Sequence, residues 1–236
     1  MKTFIPLSLF AGVLLLSAGV TASGTDRIRG GPHQGQTESG ADSSPPGPAQ
    51  PVRPATWSYT VATTGNEARY RVREQLAGFD FPNDAIGRTT AVTGAINFDE
   101  NGAIVPAGSQ INIGVAGLTS DKERRDGYIR RRTLQTDSFP TVTLALTAVS
   151  GVELPLPEGD STRFTLTGNL TIKRETRPTT WQVIAIRAGE TVTGTATTAF
   201  TFDHFAMEKP RVRSVLSVAD TIKLEYDFRL EQAGTP

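Results

Sequence analysis

The feature that most constrains this chain is a two-residue alternation near its C-terminus. In DTIKLEYDFRL, Ile222, Leu224, Tyr226, Phe228 and Leu230 share one face, and Lys223, Glu225, Asp227 and Arg229 the other. Side chains repeat with that period only along an extended strand. A single strand cannot bury its apolar face alone, so the pattern must recur, and it does. ARYRVREQL sets Tyr70 and Val72 against Arg69, Arg71 and Arg73. TAVTGAINF brings Val92, Ile96 and Phe98 to one face, and SQINIGVAGL does the same for Ile111, Ile113 and Val115. TVTLALTAV contributes Val142, Leu144 and Leu146, and RFTLTGNLTI contributes Phe164, Leu166, Leu170 and Ile172. Gly, Pro, Asn and Asp separate these runs, as at Asp99, Glu100, Asn101 and Gly102, a turn whose glycine can take a positive φ. About eight such strands in roughly 175 residues predict an all-β fold, an antiparallel eight-stranded barrel, because closure removes the exposed edges of a long meander.

One segment breaks the pattern. TSDKERRDGYIRRRTLQTDSFP is densely charged, and Ser120 followed by Glu123 reads as a capping box, predicting a short helix there. Its Tyr128, Ile129 and Leu134 are placed to close one end of the barrel. Arg124, Arg125, Arg130, Arg131 and Arg132 are expected at its wet face, with Asp121, Glu123 and Asp126 as ion-pair partners or with an anionic headgroup in their grip.

The ends of the chain differ from its middle. MKTFIPLSLFAGVLLLSAGVTASG carries Lys2 as its only charge before a long apolar run and ends in small residues, the pattern of an export signal over 1–22. A periplasmic or extracellular location is expected on that basis, with tethering by an uncleaved N-terminal helix as the alternative, since Ile5 to Ala22 approaches the ~20 residues that span a bilayer. Residues 23–54 have no aromatic side chain and many Gly and Pro, and read as a disordered linker in which His33 is solvated. The barrel is assigned to 55–232 and a tail to 233–236.

Composition excludes several chemistries. The chain has no cysteine, two histidines and equal numbers of basic and acidic side chains, 24 each. Disulfides, thiolate metal sites, a cysteine nucleophile and a thioether lipid anchor are therefore ruled out. Balanced charge gives no footprint for nucleic acid or for an anionic membrane surface. No nucleophile elbow, HExxH, phosphate loop or dinucleotide fingerprint occurs. His204 is the only histidine in the barrel segment, so no catalytic residue, metal or cofactor is expected, and the inward positions read as apolar, with Asp and Glu at turns or on outward faces.

At this point the residues resemble the YceI-like family, lipocalin-like barrels regarded as binders of polyisoprenoids and other long-chain amphipathic lipids. The resemblance runs from Trp57 to Leu230. It is carried most specifically by LTSDKERRDGYIRRRTLQTDSFPTVTL, where Leu118, Ser120, Asp121, Arg125, Asp126, Ile129, Arg130, Leu134, Phe139 and Pro140 fall on the family pattern. Thr176, Arg177 and Pro178 in GNLTIKRETRPTTWQV, the block TFDHFAMEKP and the closing strand SVADTIKLEYDFRL are also similar to it. The chain departs from the family at Tyr128, where many members carry His, and at Lys173 and Arg174, where many carry His-Gly, so no contact built on those histidines is expected.

The resemblance implies a ligand, a polyisoprenoid or isoprenoid quinone held in the lumen. Candidate lining residues are Tyr70, Val72, Ile96, Phe98, Ile111, Ile113, Val115, Val142, Leu144, Leu146, Phe164, Leu166, Trp181, Phe200, Phe202, Leu224, Tyr226 and Phe228. Arg125, Asp126, Tyr128, Ile129, Arg130 and His204 are candidates for the lid and rim. Ala145, Gly168, Gly194 and Ala196 either keep the lumen open or mark bulges. The competing reading is a filled barrel that meets a protein partner through its outer surface; an apolar cavity of about 300 Å³ or more separates the two. Membrane proximity without an anchor fits a lipid carrier, and the oligomeric state is left open, a homodimer among the options.

Overall fold

The computed structural model describes residues 54–78, 80–211 and 215–233. The expectations for the export signal and most of the linker therefore lie outside the described residues, as does the end of the tail. In chain order the elements are β1 (Trp57–Val61), β2 (Glu67–Leu76), β3 (Asn83–Thr89), β4 (Val92–Phe98), β5 (Gln110–Gly114), β6 (Thr119–Ser120), helix α1 (Glu123–Tyr128) running into a π-helical turn (Ile129–Leu134), β7 (Thr141–Ser150), β8 (Thr162–Ile172), β9 (Glu175–Ala188), β10 (Thr191–Thr201), a 3₁₀ turn (Phe202–Phe205) and β11 (Val215–Ala233).

All neighbouring strands run antiparallel, and β1 pairs with both β4 and β11, so the sheet closes on itself. Eleven segments make eight staves because three staves are broken. The long β11 pairs along one edge with β2, up to Asp227 opposite Glu67, and then with β1, from Leu230 opposite Val61. β3 and β4 continue one another against β2 and β1, and β5 and β6 against β4 and β3. Asn66 fastens the first break: its Nδ2 donates to the Ala62 carbonyl at 2.8 Å, and its Oδ1 accepts from the Tyr226 hydroxyl at 2.8 Å and the Arg229 amide at 3.0 Å. The result is a closed all-β barrel with one short helix.

Two glycines fix strand approach. A Cβ at Gly194 would lie 2.2 Å from the Ile184 carbonyl oxygen, and one at Gly168 would lie 2.6 Å from that of Ala145. These glycines serve close backbone contact across the ladder, and the one at 168 sits beside the bulge between Leu146 and Ala148.

The predicted capping box is not formed. Ser120 is held as the last residue of β6 by pairing with Gly87, so the helix begins later, with Lys122 as N-cap and no side-chain cap hydrogen bond. The Ser120 amide and hydroxyl instead donate to Asp126 Oδ1 at 2.8 and 2.6 Å, which fastens the helix to the strand that precedes it.

The topology puts α1, the turn 173–174 and the described residues of the connections 77–82 and 202–211 at one end of the barrel. At the other end the β7–β8 connection folds inward, with Leu156 buried and Leu154 packed on the core. Arg187 Nε donates to the Leu156 carbonyl at 2.7 Å and holds that floor in place. Trp57 stacks on Phe98 with ring centroids 4.2 Å apart and extends it.

On the outer wall, Glu225 is buried beneath Arg69, Arg71 and Lys223. Burial alone would raise its pKa, but hydrogen bonds from Lys223, Arg71 and Arg69 outweigh that and bring it down to about 2.

Candidate ligand-binding cavity

Alternation sends one face of every stave inward, and the inward side chains do not meet at the axis. They enclose a cavity of about 750 Å³, well above the ~300 Å³ at which small-molecule sites begin. Every lumen candidate named above, from Tyr70 to Phe228 and including Trp181, lies on its boundary. Of the rim candidates, Arg125, Tyr128 and Ile129 border it as well. A stave such as β8, 11 residues long, rises about 3.3 Å per residue and tilts near 40° in such barrels, giving a lumen of roughly 28 Å along the axis.

The opening is at the helix end. The exposed residues on the cavity boundary are Ala77, Lys122, Arg124, Arg131 and Arg132, whereas the opposite end is bounded by Tyr59, Leu154 and Leu156. Tyr128, Ile129 and Leu134 lie at this mouth between the basic side chains.

Glu74 is an acidic residue at an inward position, which corrects the expectation that Asp and Glu lie at turns or on outward faces. Glu74 continues the Tyr70–Val72 face of β2 and is buried at the mouth, where Arg125 Nη2 meets its Oε1 at 2.5 Å. Arg125 also pairs with Asp121, one turn back on the surface. These two carboxylates hold the guanidinium pKa above its ordinary value against the opposing effect of burial, which ranks first among the contributions. The helix is thus pinned to the barrel rim by a charge-assisted contact.

Deeper in the lumen the Tyr70 ring lies over Gly87, where a Cβ would come within 2.2 Å of Tyr70 Cε1. The Tyr70 hydroxyl is buried and finds no hydrogen-bond partner among the described residues. Burial pushes its pKa up to about 12, with Arg125 acting in the opposite sense. Two other polar groups of the lumen wall are paired: the Tyr226 hydroxyl bonds Asn66, and Trp181 Nε1 donates to Thr179 Oγ1 at 3.0 Å.

Three rim candidates do not border the cavity. Asp126 is consumed by Ser120, as above. Arg130 points to the strand break and donates to the Leu118 carbonyl at 3.3 Å. His204 is exposed on the 3₁₀ turn, its ring against Phe205 and its carbonyl accepting from Arg177 Nε. Among the described residues no group of three His, Asp or Glu is arranged to hold a metal ion, and no helix is long and apolar enough to cross a membrane.

A closed barrel with one floored, apolar chamber opening beside a helix defines a calyx. The chain belongs to the YceI-like domain family, whose family model matches residues 59–230. Solved structures similar to it include a polyisoprenoid-binding domain from Saccharophagus degradans implicated in plant cell wall breakdown. That domain is 12% identical with a TM-score of 0.57, over 74% of this chain and 98% of the other. BcnA of Burkholderia cenocepacia is 18% identical with a TM-score of 0.53, over 72% of this chain and 98% of its own. At these identities the likeness is one of fold. A search of curated protein sequences gave no match.

Proposed function

We propose that this chain is an exported, non-enzymatic carrier that holds the tail of one long-chain amphipathic lipid, of polyisoprenoid or isoprenoid-quinone type, in its lumen. The observation that carries the proposal is the long apolar chamber of about 750 Å³ with a single polar end. Family membership and the polyisoprenoid-binding Saccharophagus degradans domain support it. Burial supplies the affinity: at about 0.8 kcal/mol per CH₂, a dozen buried methylenes contribute about 10 kcal/mol toward the 4–15 kcal/mol that association costs, and a longer chain exceeds it. The head stays at the mouth, where Arg125 and Glu74 provide polar contacts and where the Tyr70 hydroxyl, the buried donor nearest them on β2, is free to accept a partner.

The test is a chain-length series. Isoprenoid alcohols and quinones of increasing length are titrated against the purified protein by displacement of a fluorescent fatty acyl probe. Affinity is expected to rise with each isoprene unit and to level off once the chain fills the roughly 28 Å lumen. Equal, weak binding of short and long chains would overturn the proposal and leave a barrel that meets partners through its outer surface.

A further inference from the structure

We infer that the mouth of the barrel is a docking face for an anionic lipid bilayer, so that the carrier loads and unloads with its opening against the membrane. The inference deepens the carrier reading and rests on it. Three independent features meet at this end.

The first is charge. Net neutrality conceals an axial separation. The three connections of the floored end, 99–109, 151–161 and 189–190, carry Asp99, Glu100, Glu153, Glu158, Asp160 and Glu190 and no basic residue. At the mouth, the described residues of connections 77–82, 121–140, 173–174 and 202–211 carry ten basic side chains against seven acidic ones. Several of the cations there are already committed: Arg125 to Glu74 and Asp121, Lys209 to Asp220, and Arg174 stacked over Phe139. Arg124, Arg131 and Arg132 are different. They border the opening, are exposed, and have no carboxylate partner among the described residues. A protein polarised in this way turns its positive end toward a negative surface.

The second feature is exposed apolar bulk. Phe81, in the turn after β2, is 82% exposed, and Leu216, at the start of β11, is 67% exposed. They are the two most exposed large apolar side chains of the described residues, and both stand at the mouth, because the ends of β2 and β11 pair there through Leu76 and Val215. An aromatic and an aliphatic prong beside unpaired arginines is the chemistry of the bilayer interface, where the apolar tips enter the headgroup layer and the cations meet lipid phosphates.

The third feature is the cavity itself, whose boundary reaches Leu76, Ala77 and Val215 as well as the arginines. A tail leaving a bilayer held at this face passes from hydrocarbon to lumen with little exposure to water. A docking face anywhere else on the barrel would not connect the two apolar phases.

The experiment is vesicle co-sedimentation of the protein, as purified from cells expressing the full gene, with phosphatidylcholine vesicles that contain 0 or 40% phosphatidylglycerol. Variants Phe81→Asp/Leu216→Asp, Arg131→Glu/Arg132→Glu and, at the floored end, Glu100→Gln/Glu153→Gln are run beside it. Circular dichroism and displacement of the acyl probe in vesicle-free solution check that each variant folds and binds lipid. Docking predicts at least tenfold stronger partitioning to the anionic vesicles, lost at high salt. Each mouth variant should lose at least fivefold in vesicle partitioning with circular dichroism unchanged; Phe81→Asp/Leu216→Asp, which lies off the cavity boundary, should also keep its probe affinity, and the floored-end variant should stay within twofold on both readouts. Equal binding of neutral and anionic vesicles, no binding by the parent, or equal losses in mouth and floored-end variants would overturn the inference. Probe binding without vesicle docking removes the docking face and leaves the carrier standing. Docking without any lipid uptake leaves the face and removes the carrier.

Discussion

The contact that pins the helix to the rim gives the sharpest mechanical prediction. Arg125 and Glu74 have side chains only 14% and 8% exposed, and their charged atoms meet at 2.5 Å. In Arg125→Ala the Glu74 carboxylate keeps its place at the end of an apolar lumen and loses its counter-ion. Removing one partner of a buried pair costs about 3–5 kcal/mol. Asp121, the other partner of Arg125, is 62% exposed and its release costs little, so the expected loss sits at the low end, about 3 kcal/mol. For a barrel of about 180 residues that lowers the melting midpoint by roughly 6–12 °C. Arg131→Ala, at an exposed arginine of the same segment, should stay within about 0.5 kcal/mol of the parent. Glu74→Gln/Arg125→Ala removes both charges together and should recover most of the loss. The assay is urea unfolding followed by tryptophan fluorescence, Trp181 being buried in the lumen wall. Equal stability of Arg125→Ala and Arg131→Ala, or no recovery in the double variant, would refute the reasoning and reduce the helix to a solvated connector.

Other consequences follow from the same geometry. The Glu225 carboxyl titrates at about 2 in the fold against an ordinary 4.5; a depressed value stabilises above the unfolded pKa, so at most about 3 kcal/mol is present at neutral pH and is lost as pH falls from about 4.5 toward 2. Acid titration of Glu225→Gln should show a flatter stability profile across that window than the parent does. Gly194→Ala forces a methyl against the Ile184 carbonyl and the Phe228 ring and should destabilise by about 1–3 kcal/mol in denaturant titration. Ala196→Phe projects a ring from β10 into the chamber; acyl-probe titration should show at least tenfold weaker uptake of long chains, with circular dichroism unchanged.

The period-two alternation alone decided which side chains turn inward, and for this reason the lumen wall was legible strand by strand. Steric parity is a local property. What parity does not carry is partnership across the fold. Glu74 shares the parity of Tyr70 and Val72, yet reading it as a buried ion required knowing that Arg125, 51 residues later, lies over the barrel end. Ser120 fits a capping box by its local motif, while a tertiary pairing with Gly87 holds it in a strand. Arg130 and His204 were grouped with the rim by their place in the chain, and the strand break and the 3₁₀ turn direct them elsewhere. The broken staves were equally invisible, since Asn66 creates the first break through contacts to Tyr226 and Arg229 at the far end of the sequence.

The central claim, that the lumen holds a long-chain lipid, is tested most directly by native mass spectrometry of the protein purified from its own host without detergent. The account predicts a population heavier than the polypeptide by the mass of a single long-chain lipid, released on collisional activation and diminished in Ala196→Phe. Protein that is repeatedly lipid-free, and that takes up no isoprenoid alcohol or quinone when offered one, would contradict it.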